Sequence, residues 1–262
     1  MMKVLPLGTN GFFPSFGRQT MCFAIPLGKT LIILDAGSGL FRLAEPTGKK
    51  LLAGVDNIHL YLSHYHLDHT FGFYAAWKLF SDKKVTVFGK SDKRVFSELP
   101  HTRYFPVDYA KVFHNFSWKT LKEGNHAVDN YLVAVRYQDH VGEGSLAFRF
   151  EYGKTSLAYV TDSEPTRESV EFIKGVSFLL HEHYLSGEEL LTKKNVKLED
   201  HYVGKHVTTV GAATIAKGAK VGKLALIHHY PFADEKQLKN QLKIAKSIYG
   251  KTILAEDCRV IE

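Results

Sequence analysis

Cysteine is almost absent from this sequence: Cys22 and Cys258 are the only two among 262 residues. A secreted scaffold held together by disulfides would use more cysteines, so we expect a protein of the reducing cytoplasm. A single disulfide that joins the two ends of the chain is left open.

Long apolar runs are also missing, since none approaches the roughly 18 residues that a membrane-spanning helix needs. Pro6 and Gly8 interrupt the N-terminal segment too early for the apolar region of a signal peptide. We therefore expect no association with a membrane.

The sequence has no low-complexity run and no linker rich in glycine and serine, which argues against a disordered or fibrous protein. Hydrophobic residues make up 45% of the chain, enough to bury a substantial core. No break in composition divides the sequence, so we expect a single domain over residues 1–262. Self-association as a homodimer is left open.

The net charge of +7 is compatible with a polyanionic substrate, although the lysines are scattered. Residues 236–248 combine lysines with apolar residues at helical spacing. This pattern predicts an amphipathic surface helix whose lysine face is solvated, rather than a surface for nucleic acid.

Apolar and β-branched runs alternate with helical patterns along the whole chain, which predicts an α/β protein with mixed sheets covered by helices. The predicted strands are 4–7, 21–26, 30–34, 58–62, 84–89, 131–137, 145–152, 156–161, 176–180, 224–227 and 252–255. The predicted helices are 40–52, interrupted near Pro46, and 71–80, 210–217 and 236–248.

Four metal-binding side chains lie within six positions directly after the strand predicted at 58–62: His64, His66, Asp68 and His69. A strand that ends in a short turn of nitrogen and oxygen donors is a common way to fix a metal site. The alternative is a histidine-rich surface loop, which would explain one histidine far better than it explains three histidines and an aspartate.

Other predicted strands also end in a histidine or a carboxylate: Asp35, Asp162, Glu182 and His228 follow four of them. Functional groups gather where strand ends and their loops converge in α/β proteins. For Asp35 alone, the local sequence favours an aspartate of a turn. The repeated pattern predicts that these side chains meet in one site.

The motif His64-x-His66-x-Asp68-His69, with Asp35 upstream and His140, Asp162 and His228 downstream, resembles the metallo-β-lactamase superfamily over nearly the whole chain. The resemblance implies a four-layer αββα sandwich with a metal site at one edge of the paired sheets.

Within that superfamily the sequence resembles the phosphodiesterase branch, which contains ribonuclease Z and small cyclic phosphodiesterases. The segments around Glu182 and His206 resemble two motifs of ribonuclease Z, although His183 and Tyr184 replace an alanine and a threonine and Val207 replaces a serine. Only residues 141–161 separate His140 from Asp162, which leaves no room for the tRNA-binding arm that ribonuclease Z commonly carries there. This departure favours a small phosphodiester over tRNA, so nucleic acid is the less favoured partner.

The resemblance implies two divalent metal ions, zinc or manganese, with iron also compatible. Their ligands would be His64, His66 and His140 for one ion and Asp68, His69 and His228 for the other, with Asp162 bridging. Asp35 would orient a ligand through a hydrogen bond. A metal-bridging hydroxide would attack phosphorus while Asp68 orients the nucleophile. His206, supported by Glu182, would protonate the leaving oxygen.

The predicted function is therefore hydrolysis of a cyclic or small nucleotide-like phosphodiester. The alternatives are a metal-dependent hydrolase of carboxylic esters, lactones or thioesters, and an RNA-processing endonuclease of the ribonuclease Z type. A redox or sensor protein is disfavoured, because diiron redox relatives usually replace His66 with a carboxylate and carry a flavin domain.

Some assignments remain open in the sequence. His181 or His183 could replace Glu182, and His229 could replace His228 as a ligand. The aromatic residues between 91 and 118 line a substrate pocket or cover the metal site. Five further histidines are expected to be structural or on the surface: His59, His101, His114, His126 and His201.

Overall fold

The computed structural model describes residues 2–90, 98 and 107–262. These residues form two compact units. We call residues 2–122 together with 256–262 the N-terminal unit, and residues 123–255 the C-terminal unit. Each unit has its own sheet and its own apolar core. A single domain over residues 1–262 stays a prediction.

The N-terminal unit contains a six-stranded sheet whose strands follow one another in chain order. The first three strands are antiparallel and the last four are parallel, with the third belonging to both sets. The strands are β1 (Leu5–Gly8), β2 (Cys22–Leu27), β3 (Thr30–Leu34), β4 (Asn57–Tyr61), β5 (Lys84–Gly89) and β6 (Phe116–Thr120). The helices are a 3₁₀ turn at Ser38–Ala44, α1 (Pro46–Ala53), α2 (Leu67–Thr70), α3 (Phe73–Leu79) and α4 (Tyr109–Val112).

The C-terminal unit contains a seven-stranded sheet that begins as an antiparallel meander and continues as parallel strand–helix units. Its strands are β7 (Gly124–Val128), β8 (Tyr131–Gln138), β9 (Ser145–Tyr152), β10 (Thr155–Val160), β11 (Phe178–Glu182), β14 (Lys223–Ile227) and β15 (Thr252–Leu254). A separate ribbon consists of β12 (Tyr202–Val203) and β13 (His206–Val207). The helices are α5 (Arg167–Phe172), α6 (Thr209–Gly218) and α7 (Glu235–Ile248), with 3₁₀ turns at Glu188–Thr192 and Leu198–His201.

The predicted α/β class with two mixed sheets and helices is confirmed. Buried strands such as β3 and β14 are recognisable in the sequence because they are continuous apolar runs. The edge strands β6 and β7 are not, because both are largely exposed and lack an apolar pattern. Helix α7 is amphipathic as predicted, and Asp234 and Gln237 cap its N-terminus reciprocally.

Only residues 141–161 connect the loop of His140 to Asp162, and they form the two antiparallel strands β9 and β10 with short turns. This agrees with the prediction that no arm is inserted at this point of the chain. Within the residues that the structure describes, no helix is long and apolar enough to cross a bilayer.

Three aromatic residues of the segment 91–118 belong to the N-terminal unit's core. Phe113, just after α4, is buried in it, and Phe116 and Trp118 pack against it from β6. These three rings therefore serve the packing of this unit. Phe96, Tyr104 and Phe105, together with His101, lie outside the described residues.

The two cysteines are free, so they form no disulfide with each other. Cys22 is buried on β2, and burial raises the pKa of its thiol well above the ordinary value, with the charges of Asp35 and Asp257 adding to the effect. The side chain therefore remains a neutral, apolar thiol of the core.

Asp257 connects the end of the chain to its beginning within the N-terminal unit. Its carboxylate accepts hydrogen bonds from the Thr9 hydroxyl (2.8 Å), the Gln19 amide (2.8 Å) and Arg42 Nη2 (3.2 Å). Three donors on three separate segments thus depend on one mostly buried acceptor.

We expect Asp257→Ala to lower the free energy of unfolding by about 1–3 kcal/mol, because it leaves buried donors without an acceptor. Glu256→Ala is the matched control, since Glu256 only forms an exposed ion pair with Arg259, and we expect it to change stability by about 0.5 kcal/mol or less. Urea unfolding measures both values. Equal stability of the two variants would contradict this role for Asp257.

Candidate metal centre

The motif of residues 63–70 follows β4 directly and lies in the N-terminal unit. Helix α2 carries Asp68 and His69, while His64 and His66 lie in the turn before it. The His64 ring lies 4.4 Å from that of His66 and 4.2 Å from that of His69, measured between ring centres. The three imidazoles therefore form one cluster, with His66 exposed and the other two buried.

Close backbone packing fixes the position of this turn. A Cβ atom on Gly37 would lie only 2.0 Å from the backbone oxygen of Asp68, so only glycine fits there. The Ala36 amide donates to the His69 carbonyl at 2.8 Å. The loop after β3 and the motif after β4 are thus held against each other.

Asp35 is fully buried and accepts hydrogen bonds from two residues of the motif. Its Oδ1 accepts from the Ser63 amide at 2.7 Å, and its Oδ2 accepts from the Ser63 hydroxyl at 2.7 Å. The His69 Nδ1 also lies 2.7 Å from Oδ2. Asp35 therefore orients the His69 ring, as the resemblance implies.

The Asp35 contact decides which nitrogen of His69 carries a lone pair. A carboxylate only accepts, so Nδ1 holds the proton and the neutral ring presents its lone pair at Nε2. This Nε2 lies 3.2 Å from Asp68 Oδ2, another acceptor. Two acceptors at this distance repel each other unless a proton or a metal ion lies between them.

Asp68 has a second contact that fixes its position. The Phe12 amide donates to Asp68 Oδ2 at 2.8 Å. Phe12 has a positive φ of 62°, an unfavourable conformation for a phenylalanine. The loop between β1 and β2 thus orients the carboxylate of the motif.

In the C-terminal unit, Asp162 lies between two histidines. Its Oδ1 is 3.3 Å from His140 Nε2, and its Oδ2 is 3.5 Å from His228 Nε2. His140 Nδ1 lies 3.3 Å from the Lys205 carbonyl, which can only accept, so the proton of His140 is on Nδ1 and the lone pair on Nε2. Each carboxylate oxygen thus faces one imidazole Nε2.

Parallel pairing explains why Asp162, Glu182 and His228 are neighbours. They lie at the carboxyl ends of β10, β11 and β14, which are adjacent and parallel. Together with His206 they offer ligand atoms that all lie within 4.8 Å of one another. Within the C-terminal unit the structure therefore brings these predicted residues together.

Glu182 and His206 form a buried hydrogen-bonded pair. His206 Nδ1 lies 2.8 Å from Glu182 Oε2, while Glu182 Oε1 accepts from the amides of Ser163 (2.8 Å) and Val207 (3.2 Å). Burial alone would raise the pKa of Glu182, but the charge and hydrogen bond of His206 lower it below its ordinary value. Glu182 is thus an anchored carboxylate that fixes the His206 ring through its Nδ1.

His229 and His183 form a second histidine pair in the C-terminal unit. His229 Nε2 donates to the Ala255 carbonyl at 2.9 Å, its Nδ1 lies 2.7 Å from His183 Nε2, and His183 Nδ1 lies 2.9 Å from the Thr209 hydroxyl. Burial lowers the pKa of His183 well below the ordinary value, with His229 adding to the effect. All four ring nitrogens are used, so this neutral pair is structural.

The remaining histidines have local roles where the structure describes them. His181 Nδ1 donates to the Glu182 carbonyl at 2.8 Å, and burial lowers the pKa of His181. The residue that contacts His206 Nδ1 is Glu182. His59 packs edge-on against Phe88, and His201 Nδ1 lies 3.1 Å from the Thr208 hydroxyl. His114 and His126 are on or near the surface, and His101 lies outside the described residues.

Three of the predicted residues have a backbone conformation that the sequence does not reveal. Asp35, Asp162 and His228 have φ values of 57°, 49° and 58°, each just after a parallel strand. Aspartate and histidine are enriched among non-glycine residues in this region, yet it still costs energy. Such strain persists where a particular side-chain direction is required, and functional sites are the usual place.

The donor set fits divalent metal ions. Two ligands of one tetrahedral zinc ion, each bound at about 2.0–2.1 Å, lie about 3.3 Å apart. The three imidazole–carboxylate pairs described above lie at 3.2, 3.3 and 3.5 Å. With imidazole and carboxylate donors and no thiolate among them, the chemistry suits zinc, manganese or iron. The identity and number of the ions stay a prediction.

We expect Asp35→Asn to weaken metal binding by roughly 10–100-fold, because the amide no longer accepts the His69 proton as a carboxylate does. Asp56→Asn is the matched control, since Asp56 is exposed and lies 3.9 Å from Lys29. Competition with a coloured chelator measures zinc affinity, and circular dichroism verifies folding. An Asp35→Asn protein that binds zinc as tightly as the control would contradict this role.

Comparison with known proteins places this chain in a family. A family model described as a beta-lactamase superfamily domain matches residues 30–229. A ribonuclease Z of Saccharolobus islandicus is 23% identical over an alignment that covers 100% of this chain and 99% of that protein. The alignment runs over 304 positions, more than the 262 residues of this chain, so that relative carries residues that this chain lacks.

Two solved structures show the fold. The metallo-beta-lactamase fold protein YhfI of Bacillus subtilis is 20% identical, with a TM-score of 0.77 over 99% of this chain and 98% of that one. A diphosphatase of the PhnP family is 15% identical, with a TM-score of 0.68 over 99% of this chain and 96% of that one. The predicted metallo-β-lactamase-like fold class is thereby confirmed. Because the family model matches most of its length, the chain belongs to the beta-lactamase superfamily, a family of metal-dependent hydrolases.

Proposed function

We propose that this protein is a dinuclear-metal-dependent phosphodiesterase that hydrolyses a cyclic or small nucleotide-like phosphodiester. The observation that carries the proposal is the pair of His206 and Glu182, joined at 2.8 Å beside Asp162. A proton donor next to a candidate metal ligand suits a reaction whose leaving group is an alkoxide, because an alkoxide needs a proton as it departs.

The metal assignment that we propose follows the family pattern. His64, His66 and His140 would hold one ion, Asp68, His69 and His228 would hold the other, and Asp162 would be a ligand of both. We propose zinc or manganese. Divalent cations bound by these donors would polarise the phosphoryl oxygens and make hydroxide available near neutral pH.

The remaining steps belong to side chains of this protein. Asp68, oriented by the Phe12 amide, directs the attacking oxygen toward phosphorus. As the bond from phosphorus to the leaving oxygen breaks, His206 transfers its Nε2 proton to that oxygen. Glu182 keeps the Nδ1 proton of His206 in place and stabilises the ring in its charged form before transfer. Asp35 orients His69.

A ribonuclease Z-type endonuclease is the second candidate function. It is favoured by the similarity to ribonuclease Z of Saccharolobus islandicus over the full length of both chains. The short connection through β9 and β10 favours the small substrate. Hydrolysis of carboxylic esters or lactones would use the same metal chemistry and also releases an alkoxide, whereas a thiolate leaving from a thioester would gain less from His206.

Hydrolysis of bis(p-nitrophenyl) phosphate tests the proposed function. We expect turnover with zinc or manganese, loss of turnover after chelation, recovery when the metal is returned, and at least about 10-fold lower kcat/KM on a lactone and thioester panel. No phosphodiester hydrolysis with either metal, at confirmed metal content, would refute the phosphodiesterase. Cleavage of a tRNA precursor at higher kcat/KM would favour the endonuclease.

We expect His206→Ala to slow hydrolysis of an alkoxide-releasing substrate, such as adenosine 2′,3′-cyclic phosphate, by roughly 10²–10⁴-fold. The effect on bis(p-nitrophenyl) phosphate is expected to be much smaller, since p-nitrophenolate leaves without a proton. His114→Ala, at an exposed histidine whose Nδ1 bonds to the Lys111 carbonyl, is the control. Metal content is measured for each variant. Equal slowing on both substrates would show that His206 does not act as the proton donor.

A further inference from the structure

A row of aromatic rings leads away from His206 within the C-terminal unit. Tyr184 stacks on the His206 ring, with ring centres 4.3 Å apart and planes 29° apart. Tyr184 then meets Tyr230 edge-on at 4.9 Å, and Tyr230 meets Phe232 at 5.4 Å. We call Tyr184, Tyr230 and Phe232 the aromatic row.

The outer end of the aromatic row faces solvent. Phe232 is 61% exposed, although it is one of the largest apolar side chains of this unit. It occupies the third position of a tight turn that the Ala233 amide closes on the Tyr230 carbonyl at 2.9 Å. Turns favour small or polar residues at such positions, so turn formation does not require a phenylalanine here.

The turn of residues 230–233 also restricts the backbone that carries Tyr230 and Phe232. Pro231 occupies the second position, where its ring restricts φ to the value the turn needs. On the side next to the sheet, His229 is tied to the Ala255 carbonyl and to His183. The backbone that carries Tyr230 is therefore anchored on both sides, and little entropy is lost when a ligand stacks on it.

The position of the aromatic row identifies the part of a substrate that it would meet. In the proposed function, His206 gives its proton to the leaving oxygen, so groups beside His206 adjoin the leaving group. A flat ring can stack on tyrosine and phenylalanine, whereas a sugar or alkyl leaving group would gain less from such a surface.

We propose that the aromatic row is the subsite for the leaving group and that it stacks the base of a departing nucleoside. The substrate class is then a phosphodiester that releases a nucleoside alkoxide. This inference rests on the proposed function, because it takes His206 as the proton donor. Tyr184 also holds the His206 ring, so the experiment uses Tyr230 and Phe232.

Two substrates that both release the 5′ oxygen of their second residue, as identification of the products verifies, isolate the contribution of the base. One is the deoxydinucleotide of thymidine followed by deoxyadenosine, and the other carries an abasic residue in place of the deoxyadenosine. We expect the protein to prefer the first in kcat/KM, mainly through KM. In the double variant Tyr230→Ala/Phe232→Ala, this preference should fall by about 5- to 100-fold, the range of base stacking on one aromatic ring.

Two further variants serve as controls. Tyr230→Phe/Phe232→Tyr keeps both rings and should keep the preference. Leu132→Ala removes another exposed apolar side chain, on β8 of the same unit, and should also keep it. A preference that is absent in the unchanged protein, or that survives the double alanine variant, would overturn the subsite while the phosphodiesterase stands.

A binding measurement keeps the test independent of turnover. Saturation transfer in nuclear magnetic resonance from the protein to the base protons of adenosine should be seen before and after metal removal, and it should be lost in the double alanine variant. Failure of all phosphodiester hydrolysis would refute the proposed function, whereas loss of adenosine contact alone would refute the subsite. Sedimentation could show instead that the unchanged protein is a dimer and that the double alanine variant is a monomer. That result would identify the aromatic row as a surface for a second copy and would overturn the proposed subsite.

Discussion

A hydrogen bond that an imidazole Nδ1–H donates to a buried carboxylate is the interaction on which both clusters depend. In the N-terminal unit Asp35 makes this bond to His69, and in the C-terminal unit Glu182 makes it to His206. Backbone amides hold both carboxylates in turn, from Ser63 to Asp35 and from Ser163 to Glu182. Each bond fixes the tautomer and the ring angle together, so the Nε2 atoms are oriented before any ligand arrives.

Burying such carboxylates costs solvation energy, and hydrogen bonds from local donors offset this cost. Asp35 and Glu182 are both inaccessible to solvent, yet each accepts at least three hydrogen bonds. Backbone amides supply part of these hydrogen bonds, and each carboxylate also accepts one from an imidazole.

The C-terminal unit uses histidine in two different ways at neighbouring positions. His228 faces Asp162, whereas His229 points the other way and pairs with His183. The sequence alone left the choice between His228 and His229 open, because both follow the same strand. In the structure both ring nitrogens of His229 are hydrogen-bonded, so His228 is the better candidate ligand. The partners of His229 are Ala255 and His183, which are distant from it in sequence.

Much of the architecture could be predicted from the sequence because buried strands and amphipathic helices have strong periodic patterns. The residues at the ends of β3, β10, β11 and β14 could be identified for the same reason, since each follows a clear apolar run. The exposed strands β6 and β7 could not, because neither is a continuous apolar run and each lies at the edge of its sheet. The stacking of Tyr184 on His206 and the contact of Phe12 with Asp68 could not be predicted either, because each joins segments through tertiary packing.

The left-handed backbone at Asp35, Asp162 and His228 restricts how this centre could change during evolution. Residues branched at Cβ are strongly disfavoured in that conformation, whatever their chemistry, and glycine, asparagine, aspartate and histidine are tolerated best. Single substitutions that keep the fold therefore either remove a donor, as glycine does, or exchange one short polar donor for another. Replacements at these three strand ends are consequently limited to a few residue types, whereas residues 63–66 have no positive φ and carry no such backbone restriction.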